Sequence, residues 1–329
     1  LIGAGCASLT VANDLRPLGY EVTMFEALES TGGLMRTNIP RFRLPPKVLD
    51  EEIDYILDMG VDLKLNHPIE SLKDLLDENC DAVFVGTGAP RGKNLEIPGR
   101  YDSDRIHIGI DWLESVAFEH VESIGERVLI IGVGNTAMDC CRTSLRLGAK
   151  DVKVMARKPR GFFKASAWEL EDAEEENVEI LVNHSPKEFL IEDGKLVGMK
   201  FELMEYSVDE NGRIDRGRVT GEKVIPCDDV VLAIGQDNAF PWIERDLGIE
   251  FDKWECPVVD ETTMMSGREG VFFGGDSAFG PKNIIWAVEH GHQAAISIHK
   301  YCQREDIEDR LPMGLNLASQ KMGMHEWSY

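Results

Sequence analysis

An α/β chain with two Rossmann-like dinucleotide-binding domains is what this sequence predicts, on three observations. Two glycine-rich loops occur in one chain, Gly3-Ala4-Gly5-Cys6-Ala7-Ser8 and Gly132-Val133-Gly134-Asn135-Thr136-Ala137. Each follows an apolar run and opens a segment of helical period, the context that raises a short glycine pattern above chance. Each is then followed by a second apolar run, as a strand, turn, helix, strand unit requires.

In the first unit, Leu1 and Ile2 read as the last residues of a strand that should be longer, so the sequence is expected to be part of a larger polypeptide. Leu9, Val11, Ala12 and Leu15 give an apolar helical face, Pro17 and Gly19 close it, and Glu21 to Phe25 reads as a strand ending at Glu26. The glycines let the backbone approach a pyrophosphate at the helix N-terminus, where free N–H groups and the helix dipole favour anions. Glu26 stands ~20 residues on, where an acid can accept both hydroxyls of an adenosine ribose.

The second unit repeats the arrangement and ends differently. Val128 to Ile131 is a short apolar run, Thr136 to Leu147 is helical in period, Gly148 suits a C-cap, and Val152 to Ala156 is the next strand. In place of an acid come Arg157 and Lys158, followed by Arg160 and Lys164. Cations at that edge can bind a 2′-phosphate, which leans the unit toward NADP over NAD, with a solvated basic face as the alternative. Together the two units point to hydride transfer between a nicotinamide and a flavin.

Four further segments identify the scaffold: Gly32-Gly33-Leu34, Asp81 to Ala89 (DAVFVGTGA), Val230 to Gly235 (VVLAIG) and Gly270 to Asp276 (GVFFGGD). In this order they resemble the two-dinucleotide-binding-domain flavoproteins, most closely the small subunit of glutamate synthase and its relatives, among them flavin subunits of multisubunit iron-sulfur oxidoreductases. The resemblance extends to about Tyr301. It implies a discontinuous FAD domain, residues 1–98 and 226–310, with the NAD(P) domain, residues 99–225, inserted into it. Residues 311–329 read as an irregular tail suited to partner docking. Val83 to Val85 and Val230 to Ile234 suit parallel strands buried on both faces, each ending near a glycine where a nucleotide can approach.

Carried onto this sequence, the FAD-binding residues are Gly3, Gly5, Cys6, Ala7, Ser8, Glu26, Gly33, Leu34, Thr87, Gly88, Gly275, Asp276, Asn283 and Ile284. The NAD(P) residues are Gly132, Gly134, Asn135, Thr136, Arg157, Lys158 and Gly235. Asp276 matches the family aspartate that bonds the ribityl or phosphate region of FAD. The helix expected from Ile284 would aim its N-terminus at the flavin ring, where its dipole stabilises negative charge. Phe189 to Ile225 resembles the antiparallel meander that decorates such nicotinamide domains. No catalytic acid or base is expected, because the bound flavin and nicotinamide carry the hydride and the protein holds them stacked and dry.

Two departures matter. The family typically has Pro where Cys6 stands, and Tyr-Arg-Arg with a following Met-Pro where this chain reads Ala156 to Phe163 (ARKPRGFF). They favour a flavin subunit of another iron-sulfur complex, such as one oxidising an aldehyde or a 2-oxoacid. A glutamate synthase small subunit is the alternative, and a flavin-loaded structural subunit without turnover a further one.

Composition agrees with a cytoplasmic enzyme: 329 residues, 43% hydrophobic and 29% charged, are enough for two domains with sizeable cores. No apolar run reaches the ~20 residues of a membrane span. The net charge of −24 makes nucleic acid and anionic membrane poor partners. It also repels a free acidic carrier, so an iron-sulfur protein or subunit in a hetero-oligomer is expected. The acid-free run Arg36, Arg41, Arg43 and Lys47 could dock it, neutralise a pyrophosphate or be a solvated loop. Glu169 to Glu176 reads as a solvated acidic face.

The seven cysteines, Cys6, Cys80, Cys140, Cys141, Cys227, Cys256 and Cys302, include no C-x-x-C and no cluster-binding run. That argues against a thioredoxin-reductase chemistry and sends the electrons to a cluster elsewhere, on a preceding segment or another subunit. The eight histidines show no metal-ligand spacing, and no metal site is expected.

Overall fold

The computed structural model describes residues 1–78, 80–210 and 212–310; the expected tail, 311–329, lies outside the described residues. The chain divides into two units, one of residues 1–29, 56–86 and 240 onward, the other of residues 30–55 and 87–239.

The first unit is organised around parallel strands. Thr23–Phe25 pairs with Asp62–Lys64, Val83–Val85 pairs with Val271–Phe273, and Ile2 bridges Phe25 and Val85 in parallel sense. Val83, Phe84, Val85, Val271, Phe272 and Phe273 are all buried, as strands covered on both faces must be. The Cys6–Leu15 helix packs against the Ile284–Gln303 helix. Ala287, His290, Gly291, Ala294, Ala295 and Ile298 form the buried stripe of the latter at helical spacing. Gly291 is needed there, because a Cβ would lie 2.7 Å from the Ala7 carbonyl oxygen and from Thr10 Cβ. Asn283 starts this helix by accepting a 3.1 Å bond from the Trp286 N–H.

The second unit holds a five-stranded parallel sheet in the order Ile106–Ile108, Asp229–Leu232, Arg127–Ile131, Asp151–Met155, Glu179–Leu181. The central strand alternates as a doubly covered strand should. Val128 and Ile130 face a core with Trp112, Met138, Cys140, Cys141 and Ala173, while Leu129 and Ile131 face Phe189, Leu196, Met199 and Phe201. The first core comes from the helices Gly109–Ala117, Asn135–Arg146 and Ala167–Glu175. The second comes from an antiparallel meander, His184–Glu192, Lys195–Glu205 and Arg218–Pro226, which covers that face of the sheet.

The apolar run at 230–234 resolves differently from the expectation that residues 226–310 continue the first unit. Asp229–Leu232 pairs on one edge with Val128–Ile131 and on the other with Ile106–Ile108, inside the second unit's sheet. Residues 30–55 also cluster with the second unit. Among the described residues no helix is long and apolar enough to cross a membrane.

Candidate functional site

In the first unit the strand at Ile2 leads into Gly3, and the helix begins at Cys6 with Gly5 as an extended N-cap that has no side-chain cap. The N–H groups of that first turn are therefore offered to an anion. Glu26 follows the neighbouring strand and is buried, its Oε2 accepting from the Ala4 N–H at 2.8 Å and its Oε1 from the Leu28 N–H at 3.0 Å. Each oxygen keeps a lone pair, as a ribose diol would need.

The Gly275–Asp276 turn meets the same helix: a Cβ on Gly275 would lie 3.2 Å from Ala7 Cβ, and Gly275 has φ +65°. Asp276 Oδ1 accepts from the Lys282 N–H at 3.0 Å. Burial raises its carboxyl to about 6, with that bond and the Lys282 charge opposing. Burial, then the Asp276 charge, likewise raises the Cys6 thiol to about 11, so it is no thiolate despite its helix N-terminus. His290 accepts from the Gly275 N–H at 3.2 Å, and its ring lies tilted against Phe279 at 4.3 Å between ring centroids. Burial lowers its pKa, which keeps that nitrogen an acceptor. Ile284 and Trp286 are exposed where the Asn283-capped helix begins.

Gly33, Leu34, Thr87 and Gly88 belong to residues that cluster with the second unit. Gly33 is the N-cap of the Leu34–Thr37 helix, and Thr87 Oγ1 is buried without a hydrogen-bond partner.

In the second unit, Gly132 has φ +126°, and a Cβ there would lie 2.2 Å from the Ala233 carbonyl oxygen, so only glycine fits. The Asn135–Arg146 helix starts at Gly134 without a side-chain cap, and nothing lies within 4 Å of the place a Gly134 Cβ would take. Thr136 and Gly235, both expected at the nicotinamide site, line one recess with Gly92, Ile110, Leu232, Ala233 and Gln236. Gly92, Ile110 and Gln236 carry no motif, and only the fold brings them there.

Arg157 follows the Asp151–Met155 strand, exposed, and neither it nor Lys158 forms an ion pair among the described residues, whereas Arg160 is paired with Glu174. The Arg157 carbonyl accepts from Tyr206 Oη at 2.8 Å, so the meander reaches the cationic edge. Asn135 Oδ1 accepts from the Ser166 N–H at 3.0 Å, which fixes the next loop to the glycine turn.

Two readings of charged segments need correction. The run from Arg36 to Lys47 is no free basic patch: Arg36 pairs with Asp50 at 2.5 Å, Arg41 with Glu119 at 2.6 Å and Lys47 with Glu51 at 3.6 Å. Arg43 reaches both Asp139 and Glu169 at 2.5 Å and lies over the Trp168 ring. Glu169 is therefore no solvated residue, its side chain being fully buried. Burial raises Asp139 to about 6 and Glu169 to about 7, with Arg43 opposing both. Burial pushes the thiols of Cys141 and Cys227 up to about 12, as inert core thiols behave.

A family model described as pyridine nucleotide-disulphide oxidoreductase matches residues 1–291. The chain is 35% identical over 99% of its length to the NADP(+)-dependent formate dehydrogenase subunit beta of Moorella thermoacetica, covering 47% of that protein. It is 31% identical over 92% of its length to a putative glutamate synthase [NADPH] small chain of Cereibacter sphaeroides, covering 76% of it. It thus spans about half the length of the first curated relatives it matches. Among solved structures, Mycobacterium tuberculosis FprA in complex with NADPH superposes with a TM-score of 0.77 at 18% identity, over 97% of this chain and 88% of that one, a likeness of fold.

Proposed function

The chain belongs to the pyridine nucleotide-disulphide oxidoreductase family, in the branch that includes glutamate synthase small chains, and from that premise we propose that it is the flavin electron-transfer subunit of a cytoplasmic multisubunit oxidoreductase. It moves electrons between NAD(P)H and FAD, and on to or from iron-sulfur clusters of a partner. The observation that carries this is the pair of uncapped glycine-loop helices, one beside the buried acid Glu26, the other beside the unpaired cations Arg157 and Lys158. Relatives whose names read subunit beta and small chain support a hetero-oligomer.

The residues present fit both dinucleotides. Gly3, Gly5, Cys6, Ala7 and Ser8 would set backbone N–H groups against the FAD pyrophosphate, with Glu26 on its adenosine ribose. Asp276 would hold the ribityl or phosphate region, and the Asn283–Ile284 helix start would face the flavin ring. Gly33, Leu34, Thr87 and Gly88 complete the proposed FAD set. Gly132, Gly134, Asn135 and Thr136 would take the NAD(P) pyrophosphate, Arg157 and Lys158 the 2′-phosphate, and Gly235 would admit the nicotinamide end. Bound FAD supplies the chemistry, accepting a hydride and giving up electrons one at a time. The chain orients the cofactors and excludes water.

The Moorella likeness, to a formate dehydrogenase subunit, favours a partner that oxidises a small carboxylate such as formate over the aldehyde or 2-oxoacid first expected, and the Cereibacter likeness favours glutamate synthase as the second reading. Anaerobic titration of the purified flavin-loaded chain with NADPH and separately with NADH, following flavin absorbance, tests the common core. Rapid bleaching, faster with NADPH, is expected; a flavin that neither nucleotide bleaches would reject it.

A further inference from the structure

One cation of the basic run lies apart from Arg157 and Lys158, tied to the second glycine loop. Lys164 is exposed and forms no ion pair among the described residues. Its backbone is anchored on the loop: the Lys164 and Ala165 N–H groups both donate to the Val133 carbonyl, at 3.1 and 3.0 Å. The adjacent Ser166 N–H donates to Asn135 Oδ1 at 3.0 Å. Residues 164–166 are thus bound, by three hydrogen bonds, to the turn that precedes the Asn135–Arg146 helix. Gly134, between Val133 and Asn135, is open, with nothing within 4 Å of a Cβ position.

Arg157 has a different address. It follows the Asp151–Met155 strand, the place Glu26 takes after Thr23–Phe25, where the adenosine ribose of a dinucleotide lies. Arg160, midway along the connecting segment, is occupied by Glu174. The segment therefore presents unpaired cations at its two ends, Arg157 and Lys158 near the ribose and Lys164 beside the glycine turn.

We propose that Lys164 is a pyrophosphate-binding residue of the nicotinamide dinucleotide site, setting affinity for NAD(H) and NADP(H) alike, while Arg157 and Lys158 discriminate between them. The proposal rests on the nicotinamide reading above. A lysine ammonium on its flexible stem can serve a phosphate group as a point charge.

Equilibrium binding of NADP+ and of NAD+ to the full flavin-loaded chain, by calorimetry, provides the test without turnover. Lys164→Gln should weaken both nucleotides by about tenfold, the scale of one charge-assisted hydrogen bond, and leave their ratio unchanged. Lys164→Arg should restore most of the loss, and Arg157→Gln should weaken NADP+ alone. Unchanged affinity for both nucleotides in Lys164→Gln overturns the assignment, as does a loss confined to NADP+, which would move Lys164 to the 2′-phosphate. A wild-type chain that binds neither nucleotide removes the nicotinamide reading itself and this inference with it.

Discussion

Glu26 and Arg157 follow the second strand of their respective glycine-loop units, and they are held in opposite ways. Glu26 is buried, and backbone N–H groups of Ala4 and Leu28 fix both its oxygens. Arg157 is exposed, and only its backbone is fixed, through the Tyr206 hydroxyl. A ribose diol is recognised by short, directional hydrogen bonds, which reward a rigid acceptor. A 2′-phosphate dianion is met by long cationic side chains, and here the Arg157 backbone is positioned while its side chain forms no ion pair among the described residues. The two units thus share one backbone plan and differ in how the residue after the second strand is anchored.

The largest effect is expected at the rigid end, Glu26. Glu26→Ala removes the acceptor for two buried-side N–H groups and for the ribose diol together. At roughly 1.5–3 kcal/mol for each bond to a charged acceptor, FAD affinity should fall by about a hundredfold or more. Flavin content of the purified variant, and a fluorescence titration with added FAD, would measure it. A variant that retains its flavin at wild-type affinity would show that Glu26 only braces the Gly3–Gly5 turn.

This asymmetry was half visible in the sequence. The glycine turns, the acid at Glu26 and the cations at 157 and 158 are local signals, each read from a strand, turn, helix, strand pattern. What the sequence hid is carried by contacts between distant positions. Arg43 looks like part of a free basic run until Asp139, 96 residues away, and Glu169 enclose it. Tyr206 lies 49 residues from Arg157, inside a meander whose alternation announces only a sheet. The 230–234 run would suit either unit's sheet, and only its pairing with Val128–Ile131 decides.

Asp139 and Glu169, two buried acids of the second unit, differ from Glu26, because they share an arginine and no backbone N–H to either is observed among the described residues. Burial raises Asp139 to about 6 and Glu169 to about 7, from ordinary values of 3.8 and 4.5. Raised carboxyl pKa values mean that the folded chain binds more protons than the unfolded chain between about pH 4 and about pH 7. Their contribution is therefore most favourable at the acid end of that window and is lost as pH rises through the folded values. The expected result is that Glu169→Gln, which cannot titrate, flattens the dependence of the unfolding temperature on pH between 5 and 7.5 (about 2–4 °C per kcal/mol at this size). An unchanged slope would mean that Arg43 keeps Glu169 ionised throughout.

The smallest effect tests the flexible end. Tyr206→Phe removes the hydroxyl that donates to the Arg157 carbonyl at 2.8 Å and leaves the ring in place. A neutral hydrogen bond contributes about 0.5–1.5 kcal/mol net, and the half-buried site places this one toward the lower end. Because the bond fixes where Arg157 leaves the strand and touches no nucleotide atom, the loss should appear as a rise of roughly threefold in KM for NADPH. The kcat at saturation, and both parameters with NADH, should hold. An equal rise with both nucleotides would mean that Tyr206 supports the whole 157–166 segment, including the Lys164 end. No change with either would mean that Arg157 finds the 2′-phosphate without a fixed backbone, which would extend the contrast with Glu26 from the side chain to the main chain.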